Sequence, residues 1–482
     1  MPTTPPPARP FPGADQYPLD PRHYDEAFAA TGAPRHLYAE LLGALAQHDL
    51  GALRERVRSN LAGLGVSFAG GPFELDPVPR LLALAEWQRL RDGLLQRARA
   101  LNAFVLDVYG PRRIFDAGVV PRSLLAGASG YEPEMDGLLD PAVPPAAVAG
   151  LDLVRGADGE LRVLEDNLRM PSGSTYALAA REAAAPEIGA TTEPLPQGEF
   201  VAALGAAIRA AAPDGRGDPG AAILSDGPAS GAYYEQQRIG GALDIPVVEP
   251  GQLEPAKGRL FARLGHQRQQ VTVLYRRTDE DRLSLPGGGL TQLGELLLPA
   301  LRAGRLGCLN AFGTGVADDK LAHPYAEEMV RFYLDEQPLL RSVPSYDLTD
   351  PDARAAAMGR LDDLVVKPRD GFGGEGVTIM ARANASERRR AIGLLRRGPE
   401  RFVAQEMVEL SSHPTVCGER LEPRRVDLRP FVVSGAGGRQ LAMTGGLTRY
   451  AREAGEMIVN SSRGGGCKDT WVVDVSPGDE AR

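Results

Sequence analysis

Between Leu364 and Met380 the chain reads Leu-Val-Val-Lys-Pro-Arg-Asp-Gly-Phe-Gly-Gly-Glu-Gly-Val-Thr-Ile-Met. β-Branched residues on both sides of a glycine cluster predict a hairpin: a strand ending in Lys367, a loop with glycines at 371, 373, 374 and 376, and a return strand from Val377 to Met380. Such a loop can turn through positive φ and present successive backbone N–H groups, a concave donor surface suited to phosphate oxygens. Lys367 adds a full positive charge beside the same anion. Gly371, Gly373 and Gly376 satisfy G-x-G-x-x-G, but a dinucleotide fingerprint must open a helix, and Val-Thr-Ile follows here. In a protein-kinase loop the lysine comes after the glycines, and its HRD and DFG partners are missing from this chain. A glycine-rich hairpin with no ligand fits the same residues, so the rest of the sequence has to decide.

At 482 residues the chain is too long for one ordinary core and implies several domains. Its 43% hydrophobic and 24% charged content is that of a globular protein, and a net charge of −9 gives no electrostatic footprint for nucleic acid. No apolar run reaches the ~18 residues of a membrane span and no signal-peptide pattern is visible, so no membrane partner and a cytoplasmic location are expected. Cys308, Cys417 and Cys467 lack C-x-x-C spacing, and the six histidines are dispersed; a bound metal would therefore take oxygen ligands. Of 54 lysines and arginines only four are lysines, at 257, 320, 367 and 468. Where arginine supplies nearly all positive charge, a retained lysine points to a place for a compact, rotatable ammonium.

Residues 1–20 are proline-rich and expected to be a mobile tail. Amphipathic helical patterns cover about 36–62 and 79–108, the second through Leu81, Leu84, Trp87, Leu90 and Leu94, and predict a helical region over 21–120. A hairpin follows: Leu151 to Arg155, a Gly-Ala-Asp-Gly turn, then Leu161 to Leu168. From 201 to 325 short apolar strands alternate with helices, which predicts a parallel, Rossmann-like α/β domain. Asp152 lies on the first strand of the 151–168 hairpin, and Glu165 and Asn167 share one face of the second. This oxygen-only set suits Mg²⁺, and equally a solvated sheet face.

Glu165-x-Asn167, taken with Lys367 and the glycine loop, resembles the ATP-grasp superfamily. The usual order is inverted, because the lysine and glycines at 367–376 follow Glu165 instead of preceding it. That inversion, with Asp318-Asp-Lys320, Gly445-Gly-Leu-Thr-Arg449 and the closing Asn460 to Trp471 segment, resembles the circularly permuted ATP-grasp proteins, relatives of glutathionylspermidine synthetase and eukaryotic-type glutathione synthetase. The resemblance runs from about 105 to 472. It implies an α/β (α+β) fold in which a circularly permuted ATP-grasp carries the inserted parallel domain and the N-terminal helical region. The metal-binding lobe would cover 121–200, and the ATP-binding lobe with its glycine-rich lid 326–482.

The resemblance further implies an ATP- and Mg²⁺-dependent carboxylate–amine ligase that works through an acyl phosphate on small amino acid, peptide or polyamine-like substrates. A phosphotransferase and a non-catalytic nucleotide-binding module are the alternatives. By similarity, Asp152, Glu165 and Asn167 would hold Mg²⁺. Lys320, Lys367 and the loop at Gly373, Gly374 and Gly376 would hold the phosphates, with Lys468 as a further contact. Arg169, Lys367 and Arg449 would serve the chemistry, and Gln405 and Glu406 the adenine edge and ribose. Ser172, Gly173 and Ser174 would receive an acceptor carboxylate, with Arg276 as a clamp. The family commonly has Gln where Arg463 stands and Ser where Cys467 stands; the extra positive charge of Arg463 either tunes the site for a more anionic substrate or has no effect on specificity.

Overall fold

A computed structural model describes residues 17–475, apart from 21, 191, 214–219, 372–374, 458 and 460–463. Most of the expected proline-rich tail, the loop glycines Gly373 and Gly374, and Arg463 therefore lie outside the described residues.

A nine-stranded sheet forms the centre. Its path runs from Arg439–Ala442 through Phe431–Gly435, Val148–Arg155, Arg420–Arg429, Leu447–Tyr450 and Gly466–Val473 to Leu75–Ala83, with Ser412–Cys417 and Leu161–Asn167 paired alongside. Val148–Arg155, Gly466–Val473 and Leu75–Ala83 are buried along their whole length, as expected of strands covered on both faces. One face packs on a core that includes Tyr176, Phe431 and Trp471, the other on one with Trp87, Phe104 and Leu153.

The helical periodicity expected from 79 onward divides at Ala83. Leu75–Ala83 is a strand, parallel to Gly466–Val473, and the helix runs only over Leu84–Val108. Pro77 and Pro79 explain this, since each pushes the residue before it, Asp76 and Val78, into extended backbone. The first pattern is likewise two helices, His36–Leu45 and Leu50–Gly63; Asp49 caps the second by accepting from the Ala52 N–H at 2.8 Å.

A four-stranded parallel sheet, in the order Gly307–Leu309, Val273–Arg277, Ala221–Ser225, Val247–Val248, carries an antiparallel three-stranded meander over Leu253–Val271. The glycine hairpin belongs to a third sheet, in the order Ser345–Asp347, Phe402–Glu406, Leu364–Pro368, Thr378–Ile379. Helices Pro351–Gly359 and Ala385–Arg397 back it with a core of its own around Leu361, Leu364, Val366, Met380 and Leu395. Gly376 closes the hairpin at φ +69°, where an added Cβ would lie 2.6 Å from Pro368 Cγ.

The small lobe is tied to the large sheet at one edge. Val163 N–H donates to the Arg341 carbonyl at 2.9 Å, and Val343 N–H donates back to Val163 at 2.8 Å. Val163 is two residues from Glu165, so the tie sets the hairpin opposite that carboxylate. Among the described residues, no helix is long and apolar enough to cross a membrane, and Cys308 and Cys417 are free thiols.

Candidate active site

Strand parity builds one wall of a crevice between the lobes. Asp152 pairs with Glu165 and Gly150 with Asn167 across the antiparallel hairpin, so Asp152, Glu165 and Asn167 share a face. Asp427 pairs with Arg449 on neighbouring strands, and Arg429 lies two residues further on, on the same face. The Asp152 carboxylate accepts from Arg429 Nε at 2.5 Å and Nη2 at 2.7 Å, and from Arg449 Nη2 at 2.8 Å. Arg449 also donates to both oxygens of Asp427, at 2.9 and 2.6 Å. Burial alone would raise the Asp152 carboxyl, but its two guanidiniums outweigh it and hold the group at about 2. For Asp427 burial wins, and its pKa lies above the ordinary value.

Behind this wall, Asp166 faces the opposite way. Arg97, from the Leu84–Val108 helix, donates to its two oxygens at 2.6 and 2.7 Å, and His323 Nδ1 lies 2.8 Å away. A buried bidentate pair thus fixes the strand segment that presents Glu165 and Asn167.

The hairpin lobe supplies the facing wall. Lys367, next to last in the strand Leu364–Pro368, lines the crevice and donates to Gln405 Oε1. Burial, with Lys320 nearby and Glu165 opposing, pushes its ammonium down to about 8. Lys320 donates to the Gly371 carbonyl, and its Nζ lies 3.8 Å from Glu165 Oε1. Gln405 reaches across the gap to the Leu164 carbonyl at 3.1 Å. Glu406 accepts from Tyr346 Oη at 2.9 Å and lies 3.2 Å from Arg360 Nη1. The enclosed space is about 310 Å³, and Val154, Val365, Ile379, Met407 and Val408 give it an apolar side. Such a cavity, with polar groups concentrated at one end, suits a planar base with an anionic tail.

A second cavity of about 340 Å³ adjoins it, and Asn167 and Arg429 line both. Arg169 lines this second space, with Nε 2.8 Å from Asp318 and Nη1 3.0 Å from Asp281, so its charge is offset by two carboxylates.

One crevice therefore gathers Asp152, Glu165, Asn167, Lys320, Lys367, Gln405, Glu406 and Arg449, from segments far apart in the chain. Three expected contacts are placed otherwise. Lys468 pairs with Thr448, one residue out of phase with Arg449, and so projects from the opposite face of the sheet. There it is fully buried, donating to Asp76 and, at 3.0 Å, to the Pro414 carbonyl, so it is a core ion pair and not a phosphate contact. The turn over Ser172, Gly173 and Ser174 does receive a carboxylate, but one from this chain. Glu235 Oε2 accepts from Gly173 N–H at 3.0 Å, Ser174 Oγ at 3.1 Å and Thr175 N–H at 3.1 Å, at the start of the Ser174–Ile188 helix. Gly173 is needed for packing: a Cβ there would lie 2.7 Å from Phe431 Cζ. Asp152, expected as a metal ligand, has both oxygens occupied by arginines.

Sequence reasoning passed over Asp427 and Arg429. Two opposite charges two residues apart on the otherwise apolar Val426–Val432 run were the signal available. Cys467 is buried in the core beside Trp471.

A sequence model described as circularly permuted ATP-grasp type 2 matches residues 79–451, a span that includes both walls of the crevice. The chain belongs to the circularly permuted ATP-grasp family. This ATP-grasp chain is 41% identical over 471 residues to a Frankia alni protein named "Putative glutamate--cysteine ligase 2-3", covering 94% of this chain and 54% of the relative. It is also 37% identical over 471 residues to an uncharacterized Synechocystis protein, covering 94% of this chain and 97% of that one. An uncharacterized Mycobacterium leprae protein is 36% identical over 463 residues, with 93% and 82% covered. The ATP-grasp chain thus spans about half the length of the first of these relatives and most of the other two.

Proposed function

We propose that the protein is an ATP- and Mg²⁺-dependent ligase that joins a small carboxylate substrate to an amine. The observation that carries this reading is the meeting of Glu165 and Asn167 on the large sheet with Lys367 of the glycine hairpin and with Lys320 in one cavity, which shares Asn167 and Arg429 with a second one. A triphosphate and an incoming carboxylate bring several negative charges together, and that repulsion must be offset before their oxygens approach in line. Lys367 has no carboxylate within ion-pair distance among the described residues, and Lys320 only the distant Glu165. Both are therefore available to phosphate oxygens.

The fit to magnesium rests on two residues. Glu165 is open to the crevice, and the buried Nδ2 end of the Asn167 amide has no hydrogen-bond partner among the described residues, leaving that amide uncommitted. Mg²⁺ commonly takes one or two protein ligands and completes its shell with phosphates and water, so these two suffice. Bound there, the ion would add charge that stabilises the transferring phosphoryl group. Asp152 instead orients Arg429 and Arg449 toward the floor of the crevice, where preset positive charge favours a developing phosphoryl anion. Val365, Ile379 and Met407 would cover the adenine, with Gln405 and Glu406 at its polar edge. The substrate carboxylate takes the γ-phosphoryl group with loss of ADP. The amine's lone pair then attacks the acyl carbon, and phosphate leaves as the amide forms. The names of the Frankia relatives support an amino acid as substrate.

Incubation with ATP, Mg²⁺, pooled amino acids and polyamines should yield ADP, phosphate and a new amide. A stable phosphorylated product in place of the amide overturns the ligase reading. Lys367→Ala and Glu165→Ala should each lower ADP formation by about 10²- to 10³-fold in folded protein; retention within about twofold overturns the site.

A further inference from the structure

The Asp318-Asp319-Lys320 run brings its lysine into the nucleotide crevice and leaves two carboxylates to be explained. Their side chains are 7% and 4% exposed, and they turn to different lobes. Asp318, the last residue of the Gly315–Asp318 helix, faces the large sheet, where it accepts from the Leu168 N–H and from Arg169 Nε at 2.8 Å. Asp319 faces the hairpin lobe, and its two oxygens accept from Arg369 Nε at 2.8 and 2.7 Å. Arg369 stands two residues beyond Lys367, just past the strand Leu364–Pro368. Its remaining nitrogens donate to the Leu124 carbonyl and, at 2.9 Å, to that of Ala126, so the whole guanidinium is committed.

The large-sheet side is gripped twice. Leu168 follows Asn167 directly, and its carbonyl accepts from Asn310 Nδ2 at 2.8 Å while its N–H goes to Asp318. The Asn310 amide also clasps both backbone groups of Val148, accepting at 3.0 Å and donating at 2.7 Å, and the Asn310 carbonyl takes the buried Arg276 at 2.7 Å. One segment, Asn310 to Asp318, therefore holds both backbone groups of the residue beside the expected metal ligand. The next residue along, Asp319, holds the strand end that carries Lys367, and Lys320 then stands 3.8 Å from Glu165.

Buried ion pairs are weak evidence for stability, and charge balance alone does not require two adjacent acids to be divided between two lobes. Division does give a fixed gap. A triphosphate between Glu165 and Asn167 on one side and two lysines on the other needs that gap set closely, since a misplacement of about 1 Å can cost about 10²-fold.

We infer that Asp318 and Asp319 are positioning residues: Asp318, through Leu168, fixes the strand end that presents Asn167, and Asp319, through Arg369, fixes the strand that presents Lys367. This rests on the ligase reading and deepens it, because the spacing of metal ligands and lysines then belongs to one short segment and not to either wall alone.

Calorimetric titration of the full chain with a non-hydrolysable ATP analogue at saturating Mg²⁺, and with Mg²⁺ at saturating analogue, reads the two roles separately. Asp318→Asn should raise the half-saturating Mg²⁺ concentration by about tenfold or more and leave analogue affinity within about twofold. Asp319→Asn should do the reverse, weakening the analogue by about tenfold or more with the Mg²⁺ requirement within about twofold. Arg369→Gln should reproduce the Asp319→Asn loss, and the double variant should bind no more weakly than either single one, as residues acting through one contact do. Asp318→Glu and Asp319→Glu keep the charge and lengthen the side chain by one methylene. Acids that only balance buried arginines would be replaced in full by glutamate, whereas acids that set position should leave at least about a fivefold loss in the same measurement. The glutamate variants also decide the question should the amide variants fail to fold. Recovery to within about twofold of wild type in either glutamate variant, or equal losses of metal and nucleotide in both amide variants, overturns the inference. Absence of analogue binding by the wild-type chain would instead overturn the ligase reading, which keeps the two failures apart.

Discussion

The two walls of the nucleotide crevice handle charge in opposite ways. On the large sheet, Asp152, Asp427, Arg429 and Arg449 are cross-paired, so two cations are matched by two anions before any ligand arrives. Facing it, Lys367 of the hairpin lobe leans only on a neutral amide, and Lys320, just after the Gly315–Asp318 helix, is held by the hairpin's Gly371 carbonyl. The first wall is rigid machinery whose geometry is fixed by its own electrostatics. The second is poised for charge it does not contain. In the proposed reaction a polyanion would be bound by the second wall and aligned by the first.

The sharpest way to break this contrast is to unbalance the paired wall. Asp152→Ala leaves Arg429 without its carboxylate and should destabilise the protein by about 3–5 kcal/mol, read by urea unfolding. A loss below about 1 kcal/mol would mean that the pairing does not organise the wall.

Lys367→Met tests the other side. It should lower ADP formation by about 10²- to 10³-fold yet leave thermal stability equal or higher, because it removes a desolvated charge and no ion pair. A large drop in melting temperature would show that this lysine is structural.

A smaller effect is expected from pH. The folded Lys367 loses its proton near 8, below the ordinary 10.5. Between those values the unfolded chain binds more protons, so this residue's contribution to stability is least favourable below pH 8 and improves as pH rises toward 10.5. Nucleotide binding needs the ammonium, so ATP affinity should fall above pH 8, by at most about tenfold per unit, with proton uptake on binding near that pH. Calorimetry in buffers of different ionisation enthalpy measures the uptake, and Lys367→Met should abolish it.

Least of all should follow from replacing the Asp76–Lys468 pair with Leu and Met together. Stability should stay within about 2 kcal/mol, since a buried pair exchanged whole for apolar groups is often neutral. ADP formation should stay within about twofold. A selective loss of activity would return Lys468 to the site.

What could be read from the sequence follows from the range of each signal. Lys367 with its glycines, and Glu165-x-Asn167, are local patterns whose strand parity is set by a few residues. Their meeting was legible only through the resemblance, because no local rule joins positions so far apart. Lys468 was misplaced by one step of parity, which depends on register with Leu447–Tyr450 and not on its own neighbours. The Ser172 to Ser174 turn was read as the receptor of an acceptor carboxylate, and its donors are taken by Glu235, which lies on a separate helix that no local pattern links to the turn. Leu81 and Leu82 fit the helical spacing of the residues that follow them, but Pro77 and Pro79 keep them in the strand Leu75–Ala83.

The stitch at Val163 has a mechanical consequence. With the lobes sewn together two residues from Glu165, any swing of the glycine hairpin turns about that seam as a cover turns about the spine of a book. Glu165 and Asn167, next to the seam, travel least, and the parts of the hairpin lobe farther from Val163 travel more. A nucleotide would enter from the fore-edge, phosphates leading, toward a grip already in place before the cover closes.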